Sequence, residues 1–148
     1  MIFALAKFSA LVKAFNRRAL TERMFFKICA EYNISVGFVD IPTLLGFHTN
    51  INGKLSIFLD KNLKGYEFLF IAFHELAHAL LHESTEPVSV SFYNQFETRH
   101  EAEAEAVALV ALFPTRRLKE LEDELIYADE FAAFLIKKRL EIFKQTGI

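Results

Sequence analysis

Residues 66–81 read Tyr66-Glu67-Phe68-Leu69-Phe70-Ile71-Ala72-Phe73-His74-Glu75-Leu76-Ala77-His78-Ala79-Leu80-Leu81. Neither glycine nor proline interrupts the chain between Tyr66 and Pro87, so one helix of about five turns is expected here. It is apolar almost all round, which marks a buried helix. Inside it, His74 and His78 stand four apart, on one helical face with Cβ atoms about 5–6 Å from each other. Two imidazoles at that spacing can converge on one Zn²⁺ at about 2.0–2.1 Å. Glu75 points one residue round the helix, placed to act on a water rather than to displace a ligand. This is the H-E-x-x-H arrangement of zinc hydrolases, with the glutamate as general base. Hydrogen-bonded core histidines are the bland alternative. A metal better satisfies two buried imidazoles and a buried carboxylate together.

A catalytic zinc site keeps three protein ligands, so a third donor has to come from another element. The run Arg99-His100-Glu101-Ala102-Glu103-Ala104-Glu105-Ala106-Val107-Ala108-Leu109-Val110-Ala111-Leu112-Phe113-Pro114 reads as a second helix, stopped by its proline. Ala104 and Ala108 share a stripe with Glu101, so this helix can approach its neighbour closely. Glu101 is the expected third ligand, with Glu105 and His100 as alternatives. Glu105, at i+4 from Glu101, can accept the free N–H of a ligating imidazole. Glu103 is turned away by about 200° and is expected to be solvated. His82 lies about 6 Å further along the first helix and is expected to support the ligands rather than bind the ion.

The stretch His74-Glu75-Leu76-Ala77-His78-Ala79-Leu80-Leu81-His82 resembles the ImmA/IrrE family of metallopeptidases, whose motif is H-E-L-G/A-H-x-L-L-H. Glu101-Ala102-Glu103-Ala104, Ala108 and Leu112-Phe113-Pro114 resemble the family's second signature, E-x-x-A-N/D-x-F-A followed by an L-L-M-P stop. The family's interval of thirteen residues from glutamate to proline is kept (114 − 101 = 13). Gly46, Asn52-Gly53 and Ile57 fit the short sheet that precedes the family's zinc helix, and the stretch ending in Lys138-Arg139-Leu140 resembles its closing helix. The likeness spans roughly residues 20 to 143. Departures are Glu105 for the usual Asn or Asp, Val107 for Phe, and Ala111-Leu112-Phe113 for Leu-Leu-Met. The resemblance implies His74, His78 and Glu101 as zinc ligands, one Zn²⁺ per chain, and Glu75 as general base. It also implies a protein substrate of the kind some members cleave, a repressor or stress-response regulator, often with a helix-turn-helix partner encoded alongside.

Composition sets the frame. The chain has 148 residues, 53% hydrophobic and 24% charged, with 17 phenylalanines, which suits one domain over residues 1–148 with a single core. No apolar run reaches the eighteen or more residues of a membrane helix. The N-terminal stretch Met1–Phe8 lacks a basic leader and is interrupted by Lys7 and Lys13, unlike a signal peptide. The first eighteen residues are expected as a packed helix or a sticky arm. A net charge of −2 and a pI near 6.2 give no general pull towards nucleic acid. Cys29, the one cysteine, reads as a buried small hydrophobe, and with the missing leader it points to the cytoplasm.

The remaining pattern gives an α+β class: a small antiparallel or mixed sheet against a helical body that carries the two ligand helices. A helix is expected over about Thr21–Tyr32 and a strand over Ile34–Val39. Asn52-Gly53 is a strong hairpin signal between Gly46–Thr49 and Leu55–Leu59. Residues 83–95 are expected as a loop, and residues 115–126 and 129–145 as helices, with Asp129 capping the last. Such a site would hydrolyse a peptide bond with metal assistance. His48, Tyr93, Arg99, His100 and Tyr127 are the candidate oxyanion or substrate contacts. Strand Leu55–Leu59 would be the edge on which an extended substrate adds. The competing readings are a zinc-bearing interaction module that binds a helix-turn-helix regulator uncut, and a metal-free helical bundle.

Overall fold

Two residues, Asn52 and Gly53, set the sheet in place. Both adopt positive φ, 53° and 83°, as a two-residue hairpin turn requires, and Asn50 Oδ1 accepts the Gly53 N–H at 3.1 Å. The turn joins β2 (Gly46–Ile51) to β3 (Lys54–Asp60), antiparallel in the register that sets His48 opposite Ile57. Side chains alternate across the pleat. Phe47 and Phe58 therefore stack on one face, with ring centroids 4.8 Å apart. Gly46, His48, Ile57 and Leu59 are buried on the other.

The computed structural model describes residues 1–82, the backbone of residues 88–91, and residues 98–148. Helix α1 (Ile2–Leu11) comes first, then α2 (Glu22–Glu31), started by the Thr21 side chain, and β1 (Ser35–Val39). Beyond the hairpin follow α3 (Gly65–Leu81), β4 (Val88–Ser91) and α4 (Arg99–Leu112). Pro114 opens a 3₁₀ turn (Thr115–Arg117) that leads into α5 (Leu118–Glu124). Asp129 then caps α6 (Glu130–Thr146), which ends on Gly147 in the left-handed region. The class is α+β, with a mixed sheet of order β1-β3-β2-β4 in which β1 pairs parallel to β3. None of the helices is long and apolar enough to cross a membrane among the described residues.

Two expectations change, and one open alternative is decided. Strand β3 is interior, hydrogen-bonded to β1 on one side and to β2 on the other, so Leu55–Leu59 has no free edge for a substrate. The edges are β1 and β4. Within the expected loop 83–95, Val88–Ser91 is a strand pairing with β2; the rest of that stretch lies outside the described residues. The N-terminal segment is a helix whose Leu5 and Phe8 are fully buried, not an arm. Its continuation is tied down as well, since Asn16 Oδ1 accepts the Thr115 N–H at 2.7 Å.

The core runs between the sheet, α3 and the surrounding helices. Phe25 packs edge-on against Phe68 and Phe73, at 6.1 and 5.7 Å between centroids, the geometry that aromatic quadrupoles favour. Cys29 is buried beside them, and burial pushes its thiol up to about 12. Arg139 is fully buried, donating from Nε to the Phe113 carbonyl and from Nη1 to the Ile148 carbonyl, both at 2.7 Å. Burial lowers it to about 10, so it stays charged at neutral pH. The largest helix contact is α3 on α4, and residues Ala104, Ala106, Val107, Ala108 and Leu109 of α4 have no exposure.

Leucine at Ala104 or Ala108 would overfill that contact. Overpacking costs about 1–3 kcal/mol, so each variant should show a lower denaturant midpoint with an unchanged slope.

Candidate metal centre

Residues four apart on α3 and one residue near the start of α4 build the site. Thr98 caps α4 by accepting the Glu101 N–H at 3.1 Å, which fixes Glu101 in the first turn facing α3. Its carboxylate bridges the two imidazoles: Oε2 lies 3.0 Å from His74 Nε2, and Oε1 lies 2.8 Å from His78 Nε2. The two Nε2 atoms are 3.2 Å apart. Two imidazole nitrogens and one carboxylate oxygen thus converge on one point. Bonds of about 2.1 Å in a tetrahedral arrangement would set such donors roughly 3.4 Å apart. The His₂Glu donor set and its spacing both fit a catalytic zinc ion.

Charge follows the geometry. Burial alone would raise the Glu101 carboxyl, but hydrogen bonds from His74 and His78 overcome it and hold the group well below the usual carboxylate range. Burial would lower His74, yet the Glu101 hydrogen bond and the nearby charges of Glu75, Glu101 and Glu105 raise it.

Glu75 is fully buried on α3, and its Oε2 lies 2.7 Å from His48 Nδ1. With Glu75 ionised, that nitrogen donates. Strand alternation turns His48 towards α3, and its ring also stacks on His78, at 5.4 Å between centroids. Glu75 Oε1 has no hydrogen-bond partner among the described residues. Gly46 makes this packing possible: a Cβ there would lie 2.8 Å from Ile71 Cγ2 and 3.4 Å from Glu75 Cγ.

Behind His78 runs a chain of contacts. His78 Nδ1 lies 3.0 Å from His82 Nδ1, and His82 Nε2 lies 3.0 Å from Glu103 Oε2. Arg99 Nε then donates to Glu103 Oε1 at 2.9 Å. Burial lowers His82. Burial would raise Glu103, but the bonds from His82 and Arg99 hold it down. The Glu103 side chain is only 12% exposed, so it is not the solvated residue that helix rotation suggests. Glu105 takes Lys138 Nζ at 2.8 Å rather than an imidazole, and His74 Nδ1 has no partner among the described residues.

The other expected contacts scatter. His48 is engaged with Glu75 and Arg99 with Glu103, while the exposed His100 stacks on His82 at 4.0 Å. Tyr127 is 90% exposed, in the turn between α5 and α6. Tyr93 lies outside the described residues.

The peptidase family described as IrrE N-terminal-like domain matches residues 29–145. No curated protein matches the chain.

Two outcomes test this centre. His82→Phe removes the contact behind His78 and should weaken zinc binding about 10–100-fold, read by chelator competition. A proton on His74 competes with the ion, and Glu101 raises that proton's affinity. Zinc affinity should therefore fall as pH drops through the histidine range, tenfold per pH unit for each proton displaced. Glu101, ionised far below that range, should add no further loss there.

Proposed function

The chain belongs to the IrrE N-terminal-like peptidase family, and from that membership and the site geometry we propose that it is a zinc-dependent endopeptidase. We further propose that its substrate is a transcriptional repressor or stress regulator. One observation carries the reading: a His₂Glu donor set adjoins a buried glutamate that already has an orienting partner in His48.

His74, His78 and Glu101 would hold the ion, which supplies a positive charge and a Lewis acid for the scissile carbonyl. The remaining work falls to the chain's own residues. His48 donates to Glu75 Oε2 and so fixes the carboxylate, leaving Oε1 as the oxygen that takes a proton from water. The water oxygen bonds to the carbonyl carbon. As the C–N bond breaks, the electron pair leaves with the nitrogen, which receives the proton that Glu75 holds. His82 and Glu103 position His78 from behind and do not touch the substrate. Burial of Glu75 and His48 between α3 and the sheet keeps the base from turning away into solvent.

Replacing Glu75 by Gln keeps the shape and removes the base. General-base catalysis contributes about 10²–10⁴-fold, so Glu75→Gln should lose at least that much turnover with zinc content intact, measured on peptide or protein substrate alongside metal analysis. Full biological function from that variant would mean that the protein acts by binding its regulator rather than cutting it.

A further inference from the structure

A pocket of about 400 Å³ lies where α1, the segment after it and α2 meet, and no residue of α3 or α4 lines it. Val12, Leu20, Met24 and Ile28, buried or half-buried, form its apolar floor. Exposed at its rim stand Lys13, Arg18, Lys27 and a single acid, Glu31. Met24, Lys27, Ile28 and Glu31 recur at helical spacing, so one face of α2 supplies one side of the pocket. Lys13, Arg18 and Lys27 make no ion pair among the described residues, which leaves the rim positive.

The turn between α5 and α6 has the opposite character. Leu125 and Ala128 pack against the core, and the two residues between them point outward: Ile126 is 78% exposed and Tyr127 90%. Apolar residues exposed singly are ordinary, whereas an adjacent pair makes a patch. Residues 120–136 carry six carboxylates and no lysine or arginine. Glu122, Asp123 and Glu130 among them are exposed and make no ion pair among the described residues.

We infer that the α5–α6 turn of one molecule seats Ile126 and Tyr127 in the α1–α2 pocket of a second copy, its carboxylates against the basic rim. The inference does not depend on the hydrolase reading. A cavity of about 150 Å³ accepts a benzene ring, so the observed volume accommodates two side chains of that order. Tyrosine is among the residues that anchor interfaces by filling pockets, and opposed charges steer the encounter and fix its orientation. The two surfaces differ, so the contact is heterologous rather than self-complementary.

Sedimentation of the full chain at low ionic strength, across micromolar to millimolar concentrations, should show mass rising with concentration, and added salt should reverse the rise. Lys27→Glu spoils the pocket and Tyr127→Ser the turn; each alone should weaken association about tenfold or more. The Lys27→Glu copy keeps its turn and the Tyr127→Ser copy keeps its pocket. Mixed in equal amounts, the two should therefore form dimers and nothing larger, more tightly than either variant with itself, a recovery that also shows both to be folded. The chain has no tryptophan, so Tyr127→Trp placed in the Lys27→Glu chain reports from the turn alone. Its emission should shift to the blue on adding Tyr127→Ser protein and stay unchanged on adding Lys27→Glu protein. A wild-type chain that remains monomeric at low salt, association untouched by both variants, or a mixture no more associated than its components overturns the inference.

Discussion

Helix α4 approaches α3 on alanine, and the contacts of Glu101 and Glu103 with the three histidines of α3 and its cap depend on that closeness. A glutamate side chain is short. Glu101 bridges His74 and His78 at 3.0 and 2.8 Å only because Ala104 and Ala108, further along the same stripe, keep the two backbones near. Helix separations run over about 8–10 Å according to the side chains at the contact, and bulkier residues here would widen the gap and leave the carboxylate short of its partners. Arg139 and Asn16 hold the far end of α4, through the Phe113 carbonyl and Thr115. The alanine stripe and these two anchors make one arrangement, fixed at the end remote from the chemistry.

The site combines two kinds of positioning. Along α3, helical spacing alone brings His74, His78 and Glu75 to one side. Across elements, β2 contributes His48 from above and α4 contributes Glu101 and Glu103 from the side. Glu75, His48 and His78 are at most 5% exposed, so polar groups that would be costly to bury alone are buried in contact with one another. Supporting residues on two other elements hold the face that carries the candidate ligands, as outer contacts do in metal sites generally.

Much of this was legible in the sequence because it is local. The breaker-free run around His74 gives α3, Asn52-Gly53 gives the hairpin, and the alanines with Pro114 give α4 and its end. Glu101 could be placed because the stripe fixes which face meets α3. The misses have a common cause in contacts between distant segments. Glu103 is turned away from Glu101 on an ideal helix, but His82 is the C-cap residue of α3, in extended backbone at φ −115°. Its ring therefore leaves the helical track and meets Glu103. Lys138, thirty-three residues on from Glu105, takes the carboxylate that spacing alone offers to an imidazole. Strand parity aims His48 inward, yet only the packing of β2 on α3 shows that Glu75 is what it meets. The interior place of β3 depends on parallel pairing with β1, which no local pattern records.

The two-residue turn at Asn52-Gly53 has a consequence well beyond the hairpin. Surface loops usually absorb insertions and deletions without harm. This one sets the register that points His48 at α3, and a shift by a single residue would turn every side chain of the strand to the opposite face. Phe47 would then press on the glutamate while the imidazole faced outward. Length variation among descendants of this sequence should therefore be purged at an exposed turn remote from the chemistry.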